Sequence, residues 1–132
     1  MWHRREQMAR ILIIDDEKDI LETLGVLLKS EGHEIIAVHE GLEAIKRLES
    51  LEHFDVMVTD LRMTPVDGLE LIALARHERP DMCVVVVSAY LDDETIKQAV
   101  DLGCAACIRK PFTLEDILDP IRETVAGRAG SG

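Results

Sequence analysis

The sequence predicts a single doubly wound α/β domain, in which helices cover both faces of a parallel sheet. Two observations predict it: short β-branched runs alternate with longer helical patterns, and no repeat or low-complexity linker divides the 132 residues. Strict alternation of strands and helices gives parallel strands with right-handed crossovers. We therefore expect five β/α units around a hydrophobic core that needs no disulfides or structural metal.

Five short apolar runs predict the strands. The first is continuously hydrophobic, which suits a strand covered on both faces, and the fourth is a run of four valines. The third and fifth are shorter or weaker but keep the same spacing along the chain. In order, the strands are predicted at Ile11–Ile14, Glu34–Val38, Asp55–Thr59, Val84–Val87 and Ala106–Arg109.

Apolar residues at helical spacing predict a helix after each strand. The first helix carries Ile20 and ends near Glu31, before Gly32, which suits a left-handed cap. The second bears Leu42, Ile45 and Leu48, and the third covers about Leu69 to His77 and is closed by Pro80. The fourth carries Ile96, Ala99 and Val100 and ends near Gly103. The last starts after the N-cap Thr113 and carries Leu114, Ile117, Leu118, Ile121 and Val125.

Composition excludes several classes of protein. With 26 acidic and 15 basic residues the formal net charge is −11, so the average field repels nucleic-acid phosphates and we expect no direct nucleic-acid binding. No apolar run approaches the roughly 18 residues that span a bilayer, and the N-terminus lacks the apolar segment of a secretory signal. We therefore expect a cytoplasmic protein with no membrane segment. Three cysteines are an odd number, which predicts reduced thiols.

Polar side chains follow the predicted strands where function gathers in such sheets, beyond the carboxyl ends. Asp15 and Asp16 follow the first strand, Asp60 the third, Ser88 the fourth and Lys110 the fifth. Taken alone, each has a plainer interpretation: a solvated start of a helix, a hydroxyl at the end of a strand, or a turn. Their joint placement favours one site at one edge of the sheet.

The acidic side chains at this edge require a cation. Two carboxylates about 4 Å apart repel by roughly 4 kcal/mol at an effective dielectric constant near 20. Lys110 supplies one positive charge, and oxygen ligands in an open site favour Mg²⁺, with Mn²⁺ as a substitute. This arrangement is typical of phosphoryl transfer to a carboxylate. On the central third strand Asp60 is the expected nucleophile, and Asp15 and Asp16 are the expected metal ligands.

Four motifs in this order resemble those of receiver domains of bacterial two-component response regulators. They are Ile14-Asp15-Asp16-Glu17, the segment from Asp60 to Gly68, Ser88-Ala89-Tyr90 and Lys110-Pro111-Phe112. The resemblance runs from about Arg10 to Ala126 and implies a flavodoxin-like sheet of order 2-1-3-4-5. It places the receiver domain at residues 9–126, after an N-terminal extension of residues 1–8 and before a flexible tail or linker of residues 127–132.

The resemblance also implies roles for the site residues. Asp60 would be phosphorylated by a histidine kinase or a phosphotransfer protein, and the main-chain carbonyl of Arg62 would complete the metal ligands. Ser88 would bond to the phosphoryl group and move toward it on activation, while Lys110 would pair with its oxygens. The bond between Lys110 and Pro111 is typically cis in this family, and Gly68 would serve a backbone turn.

Two residues depart from the family pattern. Cys107 stands three residues before Lys110, where an aromatic side chain is common, so the usual aromatic switch is absent. Pro120 lies inside the last helix, where a proline costs roughly 3 kcal/mol or forces a kink. The family often dimerises or binds partners through its fourth helix, fifth strand and fifth helix, so we expect both residues to alter that face. The pair Cys104 and Cys107 matches a Cys-x-x-Cys pattern but leaves a helix and enters a strand, so we expect it to be incidental.

Three functions remain open from the sequence. The favoured one is a phosphorylation-dependent switch that changes partner binding, dimerisation or an attached output domain. Such a switch is not an enzyme, although it promotes its own phosphorylation and dephosphorylation. The second is a Mg²⁺-dependent phosphatase or phosphotransferase acting on small substrates. The sequence argues against it, because it has no inserted loop long enough to enclose a metabolite. The third is an interaction scaffold. In the favoured case Arg62 and Tyr90 flank the phosphoryl group and influence its lifetime.

Overall fold

The computed structural model describes the backbone of residues 8–131 and the side chains of residues 8–127. Five strands and five helices alternate along this part of the chain. The strands are β1 (Arg10–Ile14), β2 (Glu34–Val38), β3 (Val56–Thr59), β4 (Cys83–Ser88) and β5 (Ala106–Arg109). The helices are α1 (Lys18–Ser30), α2 (Gly41–Leu48), α3 (Gly68–Glu78), α4 (Asp93–Asp101) and α5 (Leu114–Ser131).

The strands form one parallel sheet of order β2-β1-β3-β4-β5, which confirms the predicted fold class and strand order. In its register Ile14 lies opposite Thr59, and Val86 lies opposite Thr59 on the other side. All strands therefore end at the same edge, and the residues that follow β1 and β3 are direct neighbours.

The two faces of the sheet bury separate hydrophobic clusters because successive strand residues point to opposite sides. In β1, Leu12 and Ile14 pack with α2, α3 and α4, whereas Ile11 and Ile13 pack with α1 and α5. All four side chains are at most 1% exposed. Each such side chain contributes roughly 1.5–3 kcal/mol through burial, so helices on both faces hold the strand ends in place.

The helix boundaries follow local signals that the sequence carries. Gly32 has a φ of 93° after α1, as a left-handed cap requires. Thr113 and Asp116 form a capping box at the start of α5, since each main-chain N–H donates to the other's side chain. Pro120 lies inside α5, which continues to Ser131, and the Thr124 hydroxyl donates to the Pro120 carbonyl at 3.0 Å.

The predicted N-terminal extension, residues 1–8, lies outside the described residues except for Met8. The predicted tail begins at residue 127, inside α5, and the side chains that follow lie outside the described part as well. Within the described residues no helix has the length and apolar character needed to cross a membrane. The Lys110–Pro111 peptide bond is cis, as predicted, and so is Thr64–Pro65, which the sequence did not indicate.

Candidate functional site

Asp15 and Asp60 are neighbours at the carboxyl edge of the sheet. The main-chain N–H of Asp60 donates to the carbonyl of Ile14 at 3.1 Å, which continues the β1–β3 ladder to the residue that carries the carboxylate. Asp15 is 2% exposed and Asp60 is 6% exposed. Two carboxylates are therefore held side by side in a site with little water, where their repulsion is strong.

Lys110 lies between these two carboxylates. Its Nζ is 2.8 Å from Oδ2 of Asp15, 2.9 Å from Oδ2 of Asp60 and 3.5 Å from Oε1 of Glu17. Its main-chain N–H donates to the Ser88 carbonyl at 3.0 Å, so the β4–β5 pairing positions the residue. Burial lowers the pKa of Lys110, but hydrogen bonds to Asp15 and Asp60 outweigh burial and raise it above its ordinary value. The ammonium is therefore charged at neutral pH.

Main-chain groups fix the orientation of Asp60. Its Oδ1 accepts from the N–H of Leu61 at 2.6 Å and from the N–H of Arg62 at 3.2 Å, while its Oδ2 faces Lys110. The hydroxyl of Thr59 donates to its main-chain carbonyl at 2.8 Å. The carboxylate is thus held by donors on both oxygens, which leaves it little rotational freedom.

Gly68 allows α3 to start directly against this loop. Its N–H donates to the Leu61 carbonyl at 2.8 Å. A Cβ at this position would come within 2.5 Å of the Leu61 Cα and still closer to the Asp60 carbonyl oxygen. Its φ is not positive, so glycine is needed here for the close approach of two backbones and not for the turn conformation expected from the sequence.

The acidic residues form a group that could hold a metal ion. Asp15, Asp16, Glu17 and Asp60 each offer a carboxylate oxygen, and these atoms lie within 4.8 Å of one another. Asp16 and Glu17 are exposed, so the group is buried on one side and open to water on the other. A hard divalent cation such as Mg²⁺ fits this donor set, because it prefers carboxylate oxygens and keeps several waters.

The charge of Asp15 has an energetic cost in this arrangement. Burial raises the pKa of its carboxyl above the ordinary value, and hydrogen bonds from Lys110 and from the N–H of Glu17 offset this only in part. Its Oδ1 accepts that N–H at 2.9 Å. An added cation close to these oxygens would relieve the cost of keeping the buried carboxylate ionised.

Ser88 is placed at the same edge but is not bonded to the acidic group. It is 0% exposed at the end of β4, and the one hydrogen bond of its hydroxyl within residues 8–127 is accepted from the N–H of Tyr90 at 3.2 Å. The hydroxyl proton is therefore free to be donated elsewhere. The main-chain carbonyl of Arg62, predicted as a metal ligand, stays a prediction.

Arg62 and Tyr90 contact each other at the border of the site. The Arg62 guanidinium carbon lies 4.3 Å from the centre of the Tyr90 ring, although that ring is 59% exposed. Their backbones reach the site directly, through Asp60 for one and through Ser88 for the other. This cation–π pair joins the β3–α3 loop to the β4–α4 loop.

The site contains one residue to which the sequence assigned no role. Glu17 contributes to the acidic group and lies near Lys110. Its only signal in the sequence is that it directly follows Asp15 and Asp16, and an acidic residue at the start of a helix is common for dipole reasons alone. Only the structure connects it to the site, through its distance to Lys110 and its place in the acidic group.

Comparisons with known proteins point to one family. A family model described as the response regulator receiver domain matches residues 11–122. The chain is 34% identical over 112 residues to a response regulator receiver protein of Anaeromyxobacter sp. strain Fw109-5, which covers 85% of this chain and 47% of that protein. It is 28% identical over 117 residues to the transcriptional regulatory protein GlrR of Escherichia coli strain K12, covering 89% of this chain and 26% of GlrR.

Solved structures share the fold over nearly the whole chain. A CheY-like response regulator receiver domain protein from Methanospirillum hungatei JF-1 has a TM-score of 0.88 and 30% identity, and the match covers 95% of this chain and 99% of that one. The two relatives matched by sequence are longer, since this chain spans 47% and 26% of their lengths.

Proposed function

This chain belongs to the response regulator receiver family, and from that premise we propose that Asp60 accepts a phosphoryl group from a phosphohistidine of a kinase or phosphotransfer protein. The observation that carries the proposal is the fixed orientation of the Asp60 carboxylate beside a cation. It is buried and oriented by two main-chain N–H groups, and its Oδ2 lies 2.9 Å from the ammonium of Lys110. A carboxylate held in one orientation beside a cation suits nucleophilic attack on a phosphoryl group.

In the proposed reaction a carboxylate oxygen of Asp60 attacks the phosphorus atom. A new O–P bond forms, the P–N bond to the donor histidine breaks, and the electron pair of that bond stays on the imidazole nitrogen. Lys110, already in contact with Asp60, neutralises charge on the phosphoryl oxygens. Asp15, Asp16, Asp60 and the main-chain carbonyl of Arg62 would hold Mg²⁺, or Mn²⁺ in its place. When bound, the metal supplies further charge neutralisation.

Ser88 would transmit the presence of the phosphoryl group to the surface of the domain. Its buried hydroxyl accepts from the Tyr90 N–H and is free to donate to a phosphoryl oxygen. Donation would draw Ser88 toward Asp60 and change the β4–α4 loop that carries Tyr90. With cysteine at position 107, the signal would be transmitted by Ser88 and this loop without rotation of an aromatic side chain on β5.

The output of the switch depends on which domain or protein binds the changed surface. Because the chain spans 47% and 26% of the lengths of the two relatives matched by sequence, we propose that it controls an attached output domain, a separate partner or a second copy of itself. We also place the reaction in the cytoplasm, the compartment that membership of the receiver family implies. The receiver itself would act as a switch that promotes its own phosphorylation and dephosphorylation.

Acetyl phosphate tests the proposal without a cognate kinase. We would incubate the protein with Mg²⁺ and acetyl phosphate and measure its intact mass. We expect a single phosphoryl adduct, lost when EDTA is present and absent in Asp60→Asn. Asp101→Asn is the matched control, since it removes an exposed carboxylate on α4 that lies outside the site. An adduct that persists in Asp60→Asn would contradict the assignment.

The same assay separates the alternatives. Continuous turnover of a small phosphate ester, with no accumulated adduct, would identify a phosphatase instead. Absence of an adduct in the wild type, with Mg²⁺ present and the fold intact by circular dichroism, would leave an interaction scaffold. The proposal requires one stoichiometric adduct that decays without turnover of other esters.

A further inference from the structure

Two thiols meet between α4 and β5, away from the acidic group. The sulfur atoms of Cys104 and Cys107 lie 3.7 Å apart. Cys104 is in the turn that follows Gly103, whose φ is 94°, and Cys107 is in β5. The sequence suggested that this pair is incidental, because its order relative to helix and strand is the reverse of the usual redox motif. The short distance between the sulfur atoms reopens the question.

The backbone holds both thiols in this arrangement. The N–H of Cys104 donates to the Ala99 carbonyl at 3.0 Å, and the N–H of Ala105 donates to the Val84 carbonyl at 2.8 Å. Cys107 is paired with Val86 in the sheet. A disulfide needs the sulfur atoms about 2 Å apart, so the two sulfur atoms, now 3.7 Å apart, must approach each other further to form the bond.

The two thiols differ in access to solvent. Cys104 is 8% exposed and its thiol donates to the Ala106 carbonyl, whereas Cys107 is only partly buried. Burial, with the neighbouring Cys107 as a second cause, raises the pKa of Cys104 to about 12. An external reagent would therefore meet Cys107 first, and Cys104 would react second from within.

Other uses of the pair fit less well. A structural zinc ion needs four ligands, and within residues 8–127 the acidic group is the one place where three or more possible metal ligands meet. The third thiol, Cys83, packs against the cluster on the opposite face of the sheet. Within residues 8–127 no third metal ligand joins the pair. Burial raises the pKa of the Cys83 thiol and Cys104 is close enough to raise it further, so the test must distinguish a link to Cys83.

We propose that Cys104 and Cys107 are a reversible dithiol–disulfide site that reacts with low-molecular-weight disulfides. The Cys107 thiolate attacks one sulfur of the reagent, a mixed disulfide forms, and the first thiolate leaves and takes up a proton. The sulfur of Cys104 then loses its proton and attacks the Cys107 sulfur, which releases the second thiol. Two protein thiols are oxidised and one disulfide is reduced to two thiols. The site does not depend on phosphorylation of Asp60.

The test uses glutathione and the full chain without Mg²⁺ or a phosphate donor. After equilibration over a series of ratios of oxidised to reduced glutathione, free thiols are alkylated under denaturing conditions and the protein is analysed by intact mass and peptide mapping. We expect two of the three thiols to lose reactivity together, with a Cys104–Cys107 link in the peptide map and restoration by dithiothreitol.

Variants distinguish the order of attack. Cys83→Ser should behave as the wild type does, Cys104→Ser should retain a glutathione adduct on Cys107, and Cys107→Ser should stay unmodified. The proposal is overturned if all three wild-type thiols can still be alkylated after equilibration at every glutathione ratio. It is also overturned if the wild type keeps a glutathione adduct on Cys107, or if the disulfide link includes Cys83. The wild-type peptide map decides this even where a serine variant fails to fold.

Discussion

The ammonium of Lys110 lies 2.9 Å from Oδ2 of Asp60, although 50 residues separate them in the chain. The same nitrogen contacts Asp15 at 2.8 Å, so one cation serves two carboxylates that are nearly inaccessible to water. Removing the lysine from such a buried group leaves two carboxylates without a compensating charge. The arrangement therefore links the chemistry of the site to the stability of the domain.

Replacing Lys110 with methionine tests that link. The apolar chain keeps most of the volume but leaves Asp15 and Asp60 in mutual repulsion, so we expect the free energy of unfolding to fall by about 2 kcal/mol without Mg²⁺. Urea denaturation gives this value. Millimolar Mg²⁺ should restore more stability to the variant than to the wild type. Equal stability of the two proteins in EDTA would show that the ion pairs are energetically neutral.

Asp15→Asn tests the cost of the buried charge. Since burial raises the folded-state pKa of Asp15, its ionised form destabilises the fold once the pH rises above the ordinary value of 3.8. Without Mg²⁺ we therefore expect the variant to be more stable than the wild type at pH 7, with the difference shrinking as the pH falls toward 4. Thermal melts over this range measure it.

Asp16→Asn is the control, because its carboxylate is exposed. It should leave the metal-free stability unchanged while reducing the stabilisation by Mg²⁺. A wild type that is more stable than Asp15→Asn at pH 7 in EDTA would show that the hydrogen bonds of this carboxylate outweigh its burial.

The sequence predicts the fold and the location of the site because both depend on local patterns. Continuous apolar strands followed directly by polar residues, as at Asp60, bring the same side chains to one edge whenever the sheet is parallel. The contacts within the site depend instead on register and side-chain rotation, which no local pattern encodes. The distance between Cys104 and Cys107, the approach of Glu17 to Lys110, and the absence of a bond from Ser88 to the acidic group were therefore not predictable.

Gly68→Ala tests the close approach of α3 to the Asp60 loop. The added Cβ would overlap main-chain atoms of Asp60 and Leu61, so the loop or the helix must shift. We expect a loss of about 1–3 kcal/mol in unfolding free energy. Phosphorylation by acetyl phosphate should slow as well, because the same loop orients the carboxylate.

Gly25→Ala provides the comparison, since this buried glycine of α1 would meet nothing within 4 Å after substitution. Alanine should there stabilise the protein by about 0.5–1 kcal/mol through its helix propensity. If both variants changed stability by the same amount and in the same direction, the overlap at position 68 would have no energetic consequence.

The contact between Arg62 and Tyr90 should influence the lifetime of the phosphoryl group on Asp60. Because the guanidinium lies 4.3 Å from the ring centre and both backbones bond into the site, each side chain fixes the position of the other. We expect Arg62→Ala and Tyr90→Ala each to change the rate of autodephosphorylation by roughly 2–5-fold, the effect of a cation–π contact of about 0.5–1 kcal/mol. The double variant should change this rate no further, since either substitution already breaks the pair.

The rates are measured by following the decay of the phosphoryl adduct by intact mass. Titration with Mg²⁺ should give the same affinity for the wild type, both single variants and the double variant. Multiplicative rate effects in the double variant would mean that the two side chains act independently, and a parallel loss of Mg²⁺ affinity would place their effect on the metal site.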